Sequence, residues 1–369
     1  MTRLVVILLI LSLSTTVFAA KDPPKLADCA PLFTVRLANM LPPHSHVFGV
    51  RTTMPPVSCQ GVGTCNVHAT LALLSGLINL ASGAEINFDP IYTYAKILLE
   101  RAVALAMGVP KAFPIDRGVT LEEIFYSVNN HGLCPKTDYP VVLGHNEPSV
   151  LEVRLSDTIT RGIPRWQNNF QERTKTNYME TIGRHELVWD IEARQEQTLG
   201  SSFGSFAFDG MIHDAHQFAY KYLPRRIWIT QHSLGENNSA VVYGNVRPAS
   251  NIQVTMFQKG HKKNPASLIK AVVKSLQKGR PVLLYIYKNF EIPPDAPGFL
   301  APSSNVDLSK GHAVVIIGYV WNSAGDRITH FILRNSWGKE MGMEGHHLME
   351  RDFFEKSAFA AMTIEHWQE

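Results

Sequence analysis

The sequence contains no His-Glu-x-x-His and no Cys-x-x-Cys pair, and the histidines at 131, 145, 185, 213, 216 and 232 are scattered. The donor spacings of the common zinc sites are therefore missing. A glycine-rich phosphate loop is missing as well, which removes the usual nucleotide-binding reading. Charge of one sign is scarce: the formal net charge is +3 with histidine neutral, too little for the basic field that nucleic-acid binders carry. Beyond the first residues no apolar run approaches the ~20 residues needed to span a bilayer. These gaps leave an expectation of no cofactor, no metal, no nucleic-acid partner and no integral membrane segment.

What is present is ordinary globular material, 45% hydrophobic and 18% charged over 369 residues, enough to bury one large core or two modest ones. The first 20 residues read as a signal peptide: Arg3 is followed by the apolar run Leu4 to Leu13 and by the small-residue site around Val17-Phe18-Ala19. The expected product is secreted, periplasmic or lumenal, with cleavage near Ala19-Ala20. Four cysteines remain, Cys29, Cys59, Cys65 and Cys134, in a compartment that would permit disulfides. If one is a free catalytic thiol, at least one more is unpaired or bonded elsewhere.

A proline-punctuated arm runs to Pro56. Apolar helices are expected from Cys65 to about Ala81, with Gly83 as a stop, and from Pro90 to Met107. A third is expected from Thr120 to Asn130, where Thr120 and Glu123 have capping-box spacing. From about Gly144 to Lys263 the pattern is polar and mixed. A last amphipathic helix, Ser267 to Lys278, leads into strand-like runs at 281–287, 313–319, 329–334 and 345–350. Helices first and strands later point to an α+β fold with segregated halves.

Three short strings carry chemistry. Gln60-Gly61-Val62-Gly63-Thr64-Cys65 sets a cysteine after a glycine-rich turn at a helix start, where free amides and the helix dipole favour a thiolate. Alone, Cys65 reads first as a buried helix cysteine, and only the other strings turn the reading. Gly311-His312 opens the apolar strand Ala313 to Tyr319, which would hold the imidazole rigidly. Arg334-Asn335-Ser336-Trp337-Gly338 follows another strand: an Asn can set an imidazole's tautomer and a Trp can shield that bond from water.

Together, QGVGTC, GHAVVIIGY and RNSWG, in the chain order Cys, His, Asn, resemble the papain-like cysteine peptidases. His131-Gly132-Leu133-Cys134-Pro135 with Asp138-Tyr139-Pro140, and Gly279-Arg280-Pro281-Val282, are similar to two further segments of that family. The resemblance covers about Pro55 to Pro140 and Ala266 to Phe354. It implies a papain-like fold with a helical half, a β-barrel-like half and a cleft between them. It also implies a nucleophile at Cys65, a general base at His312, an orienting Asn335, and Gln60 as oxyanion donor beside the Cys65 N–H. Departures exist: only four residues separate Gln60 from Cys65, where the family usually has one more. Asn66 stands where Trp is common, and Val62 where a loop-bracing cysteine often sits.

His312 is about a hundred residues farther from Cys65 than the ~130–150 of the papain pattern. This predicts a division into residues 21–144 (arm and helical half), 145–263 (an insertion, capping the cleft or binding a partner) and 264–369 (β-rich half). The implied activity is hydrolysis of a protein or peptide substrate through an acyl-thioenzyme. An acyl transferase with the same site, and a catalytically weak binding protein that uses the insertion as its surface, remain open.

Overall fold

The computed structural model describes residues 46–49, 54–82, 85–136, 148–174, 180–200, 206–208, 211–222, 226–233, 239–244 and 265–368. The signal-peptide pattern, most of the proline-rich arm and the Gly83 stop lie outside the described residues.

Helix α1 (Cys65–Ser82) is apolar on nearly every face and is buried accordingly. Helix α2 (Pro90–Ala106) starts where Asp89 Oδ1 accepts from the amides of Ile91 at 2.8 Å and Tyr92 at 3.4 Å, with Pro90 in the first turn. Helix α3 (Leu121–His131) has the expected capping box, Thr120 and Glu123 each bonding the other's backbone amide.

Two long helices follow, α4 (Pro148–Thr174) and α5 (Glu180–Leu199), which pack on each other and on α2. The buried side of α4 carries Leu151, Leu155, Ile159, Trp166 and Phe170, a stripe at helical spacing that runs past Pro164. Lys96 Nζ meets Glu192 Oε1 at 2.7 Å, and Gln195 Nε2 donates to Ala95 O at 2.7 Å, fastening α5 to α2. Helix α6 (Ala215–Tyr222) docks by the Leu133 amide to Ala215 O, 3.0 Å. Gly132, at φ +76°, must be glycine there because a Cβ would lie 2.3 Å from the Ala215 carbonyl carbon.

The strands are β1 (His46–Gly49), a small ribbon β2–β3 (Phe206–Phe208, Met211–His213), a hairpin β4–β5 (Arg226–Ser233, Ser239–Gly244), β6 (Val282–Glu291), β7 (Phe299–Trp321), β8 (Ile328–Arg334), β9 (His346–Glu350) and β10 (Ala358–Gln368). Helix α7 (Pro265–Gln277) precedes β6, and α8 (Arg351–Ser357) precedes β10. The main sheet runs β5-β4-β10-β6-β7-β8-β9, with β1 added to β7. β7 is long enough to serve twice: its start pairs in parallel with β9 and its end pairs antiparallel with β8. The sheet therefore curls into a half barrel.

Residues between 145 and 263 contribute to both halves, helices α4 and α5 to one and the hairpin β4–β5 to the edge of the main sheet. One hydrophobic core, running from α1 and α2 through β6, β7 and β8, joins the halves. Among the described residues no helix is long and apolar enough to cross a membrane.

Candidate active site

Helix α1 lies against β6 and β7, and this packing brings the first residue of the helix to the strand that carries His312. The Cys65 thiol, on a residue 3% exposed, is faced by the backbone N–H of Ala313, the neighbour of His312. The Asn66 amide at the helix start also faces the sulfur. Burial outweighs these donors and pushes the thiol above its ordinary pKa.

His312 Nε2 lies 2.8 Å from Asn335 Oδ1. That oxygen also accepts from the Ser336 amide at 2.8 Å, which identifies it as the carboxamide oxygen and makes His312 Nε2 the protonated nitrogen. His312 Nδ1 is left as the basic position. Trp337 stacks on the imidazole at 4.9 Å between ring centroids and 26° between planes, and Phe290 stacks on Trp337 at 5.7 Å. These rings keep water from the His312–Asn335 bond. Burial lowers the His312 pKa to about 4 despite the opposing Asn335 bond, and the charge of Lys288 adds to the lowering. Both shifts favour the thiol and the neutral imidazole over an ion pair in the resting site.

Gln60 is buried beside the asparagine segment. Its amide donates to Ser336 O at 2.8 Å, its Oε1 accepts a short bond from the Ser336 hydroxyl, and its Nε2 donates to Val62 O at 2.9 Å. A second Nε2 hydrogen remains for another acceptor. The four residues singled out in the sequence therefore sit where the two halves meet: His312 and Asn335 bond directly, Gln60 joins the Asn335 segment through Ser336, and Cys65 reaches the histidine strand through Ala313.

Several contributing residues are silent in sequence. Asn66, in the position where the resembled family commonly has Trp, is fully buried, donating to Val119 O at 3.1 Å and accepting from the Tyr285 hydroxyl at 2.8 Å. It ties α1 to β6. Glu152 of α4 reaches the loop before Cys65, and Ser336 and Phe290 fix Gln60 and Trp337. Ser336 had a signal in its place beside Asn335; Glu152 had only its place next to Leu151 on the buried stripe of a helix. Cys59 is disulfide-bonded, whereas Cys65 and Cys134 are free and buried.

Residues 225–365 match the model of the papain family cysteine proteases. The match contains His312 and Asn335 and begins after Gln60 and Cys65. Among solved structures, PepW from Lactobacillus rhamnosis HN001 aligns at a TM-score of 0.52 and 13% identity over 86% of this chain and 83% of that one. Xylellain, a cysteine protease from Xylella fastidiosa, aligns at 0.42 and 17% identity over 95% and 97%. No curated protein matches the sequence. The helical half and the curled sheet give this chain a papain-like α+β fold, and the family match covers residues 225–365, the part that carries His312 and Asn335.

Proposed function

We propose that the protein is an exported cysteine peptidase that hydrolyses peptide bonds through an acyl-thioenzyme. The observation that supports this best is the His312–Asn335 bond, roofed by Trp337, on the strand whose Ala313 amide meets the Cys65 thiol.

In this reading His312 Nδ1 takes the Cys65 proton as Sγ attacks the substrate carbonyl. The S–C bond forms, the carbonyl π pair moves to oxygen, and the Cys65 N–H and the spare Gln60 Nε2 hydrogen receive the oxyanion. Collapse expels the amine, which leaves with the proton from the His312 imidazolium. Water, deprotonated by the same nitrogen, then releases the acid and restores the thiol. The neutral resting pair means that the thiolate forms with substrate present. An added amine in place of water would make the same site an acyl transferase, which product analysis with added amines distinguishes.

Export is supported by the pattern of Arg3, Leu4–Leu13 and Val17–Ala19, and a disulfide at Cys59 suits an oxidising compartment. One observation favours a second reading, a catalytically weak binding protein: the Gln60 carboxamide already bonds Val62 and Ser336.

Labelling with a peptidyl electrophile tests the choice. The expected result is an adduct mapped to Cys65 that is lost in Cys65→Ala and strongly slowed in His312→Ala. Folded, reduced protein that does not label would favour the binding reading.

A further inference from the structure

The segment Gly61–Thr64 has to hold a defined shape, because it sets the direction of both the Cys65 N–H and the Gln60 side chain. Loops of this kind are commonly braced covalently in the resembled family, but Val62 stands where the bracing cysteine often is. The brace here comes from helix α4. Glu152, 0% exposed, accepts through Oε2 from the Gly61 amide at 2.7 Å, the Val62 amide at 3.3 Å and the Thr64 hydroxyl at 2.8 Å. Its Oε1 lies 2.6 Å from His68 Nε2, one turn into α1, and His68 Nδ1 lies 2.6 Å from the Ser58 hydroxyl.

The helix and the loop are also in backbone contact. A Cβ on Gly61 would fall 1.8 Å from the Ser149 carbonyl oxygen, so only glycine permits the first turn of α4 to sit there. A carboxylate has about four acceptor sites on its two oxygens, and here they meet three loop donors and one imidazole. Each donor is buried or partly buried, and none would find water on losing Glu152 without opening the fold.

We propose that Glu152 is a positioning residue for the reaction: through Gly61, Val62 and Thr64 it holds the nucleophile loop so that the Cys65 N–H and Gln60 face the developing oxyanion. This rests on Cys65 being the nucleophile. It gives α4 a part in the chemistry, as the support of the loop that carries the nucleophile.

The test compares Glu152→Gln with Glu152→Met in the full chain. Gln can keep one oxygen on the loop donors while its NH2 faces His68, which then accepts at Nε2 and donates to Ser58 from Nδ1. Met fills similar volume and is at most a weak acceptor. Glu152→Gln should retain kcat within a few fold, while Glu152→Met should lower kcat on the order of a hundredfold, the scale of one oxyanion donor, with KM within about threefold. Both substitutions remove the Glu152 charge that helps raise the Cys65 pKa, so iodoacetamide alkylation of Cys65, which needs no oxyanion hole, should change alike in the two. Hydrogen exchange over residues 57–66 should quicken in Glu152→Met only. Equal kcat and equal loop exchange in the two variants would reduce Glu152 to space filling and overturn the proposal.

Should Glu152→Met not fold, Thr64→Val removes one of the loop donors. A several-fold fall in kcat at unchanged KM, with faster exchange across 57–66, supports the proposal; no change in either overturns it. If the wild-type protein turns over no peptide, the exchange comparison decides alone, so failure of the peptidase reading and failure of this one are separate results.

Discussion

His347, on β9, has neither ring nitrogen hydrogen-bonded to protein although the residue is fully buried. Burial, with the nearby His346 and His312 adding to it, lowers its pKa to about 3. In the unfolded chain the same imidazole titrates near 6.5. Between these values the unfolded state binds more protons than the folded one, so stability is present above about pH 6.5 and is lost as pH falls through that window.

At one pK unit per ~1.4 kcal/mol, acidification from about pH 7.5 to about pH 5 costs roughly 2 kcal/mol at His347. His312, lowered to about 4, costs a similar ~2 kcal/mol over the same interval. Replacing His347 by Leu removes one of these and also removes two unpartnered polar atoms, each a cost of about 1–3 kcal/mol. His347→Leu should therefore be more stable than wild type at neutral pH. It should also lose about 2 kcal/mol less on going to about pH 5. Urea unfolding at the two pH values measures both. A variant that is less stable at neutral pH, or that loses as much on acidification as wild type does, would refute the reasoning.

Asn335→Ala should lower kcat by tenfold or more with a small effect on KM, since it frees the imidazole whose general-base contribution is on the order of 10²–10⁴; steady-state kinetics on a peptide substrate checks this. Cys65 alkylation in the free protein should keep rising through the alkaline range because burial raises the thiol pKa; a plateau reached near pH 4 would instead reveal a resting ion pair. Peptide turnover should fall as pH drops toward about 4, where His312 takes up a proton and ceases to be a base, read from the acid limb of kcat/KM. Tyr285→Phe should destabilise by about 1–3 kcal/mol in denaturant unfolding, because it leaves the buried Asn66 Oδ1 without its donor.

Local chemistry determined a good part of this protein from sequence alone. Helix α1 was legible as an apolar run after a glycine-rich turn, and α2 and α3 because their apolar residues run at helical spacing behind Asp89-Pro90 and the Thr120/Glu123 box. Strands β6 to β9 were legible as short β-rich runs between glycines. Cys65, His312 and Asn335 stood out because each sits in a short distinctive string beside an apolar run, although β7 begins at Phe299 and so holds His312 inside the strand rather than at its entrance. Helices α4 and α5 were not legible: α4 carries Gly162 and Pro164, most of its surface is polar, and the Leu151-to-Phe170 stripe becomes apolar contact only against α2 and α5.

The tertiary structure alone decided what holds the candidate site. Glu152 and Gly61 are 91 positions apart, and Tyr285 and Asn66 are 219 apart. No local pattern encodes such pairs, because hydrogen bonds of this kind depend on where whole elements come to rest. The β4–β5 hairpin likewise joins the sheet through β10, a strand more than a hundred residues later, so its place was set by pairing rather than by propensity. The protonation of the site was also a tertiary matter: a Cys and a His titrate near their ordinary values in a peptide, and burial between the two halves drives them apart.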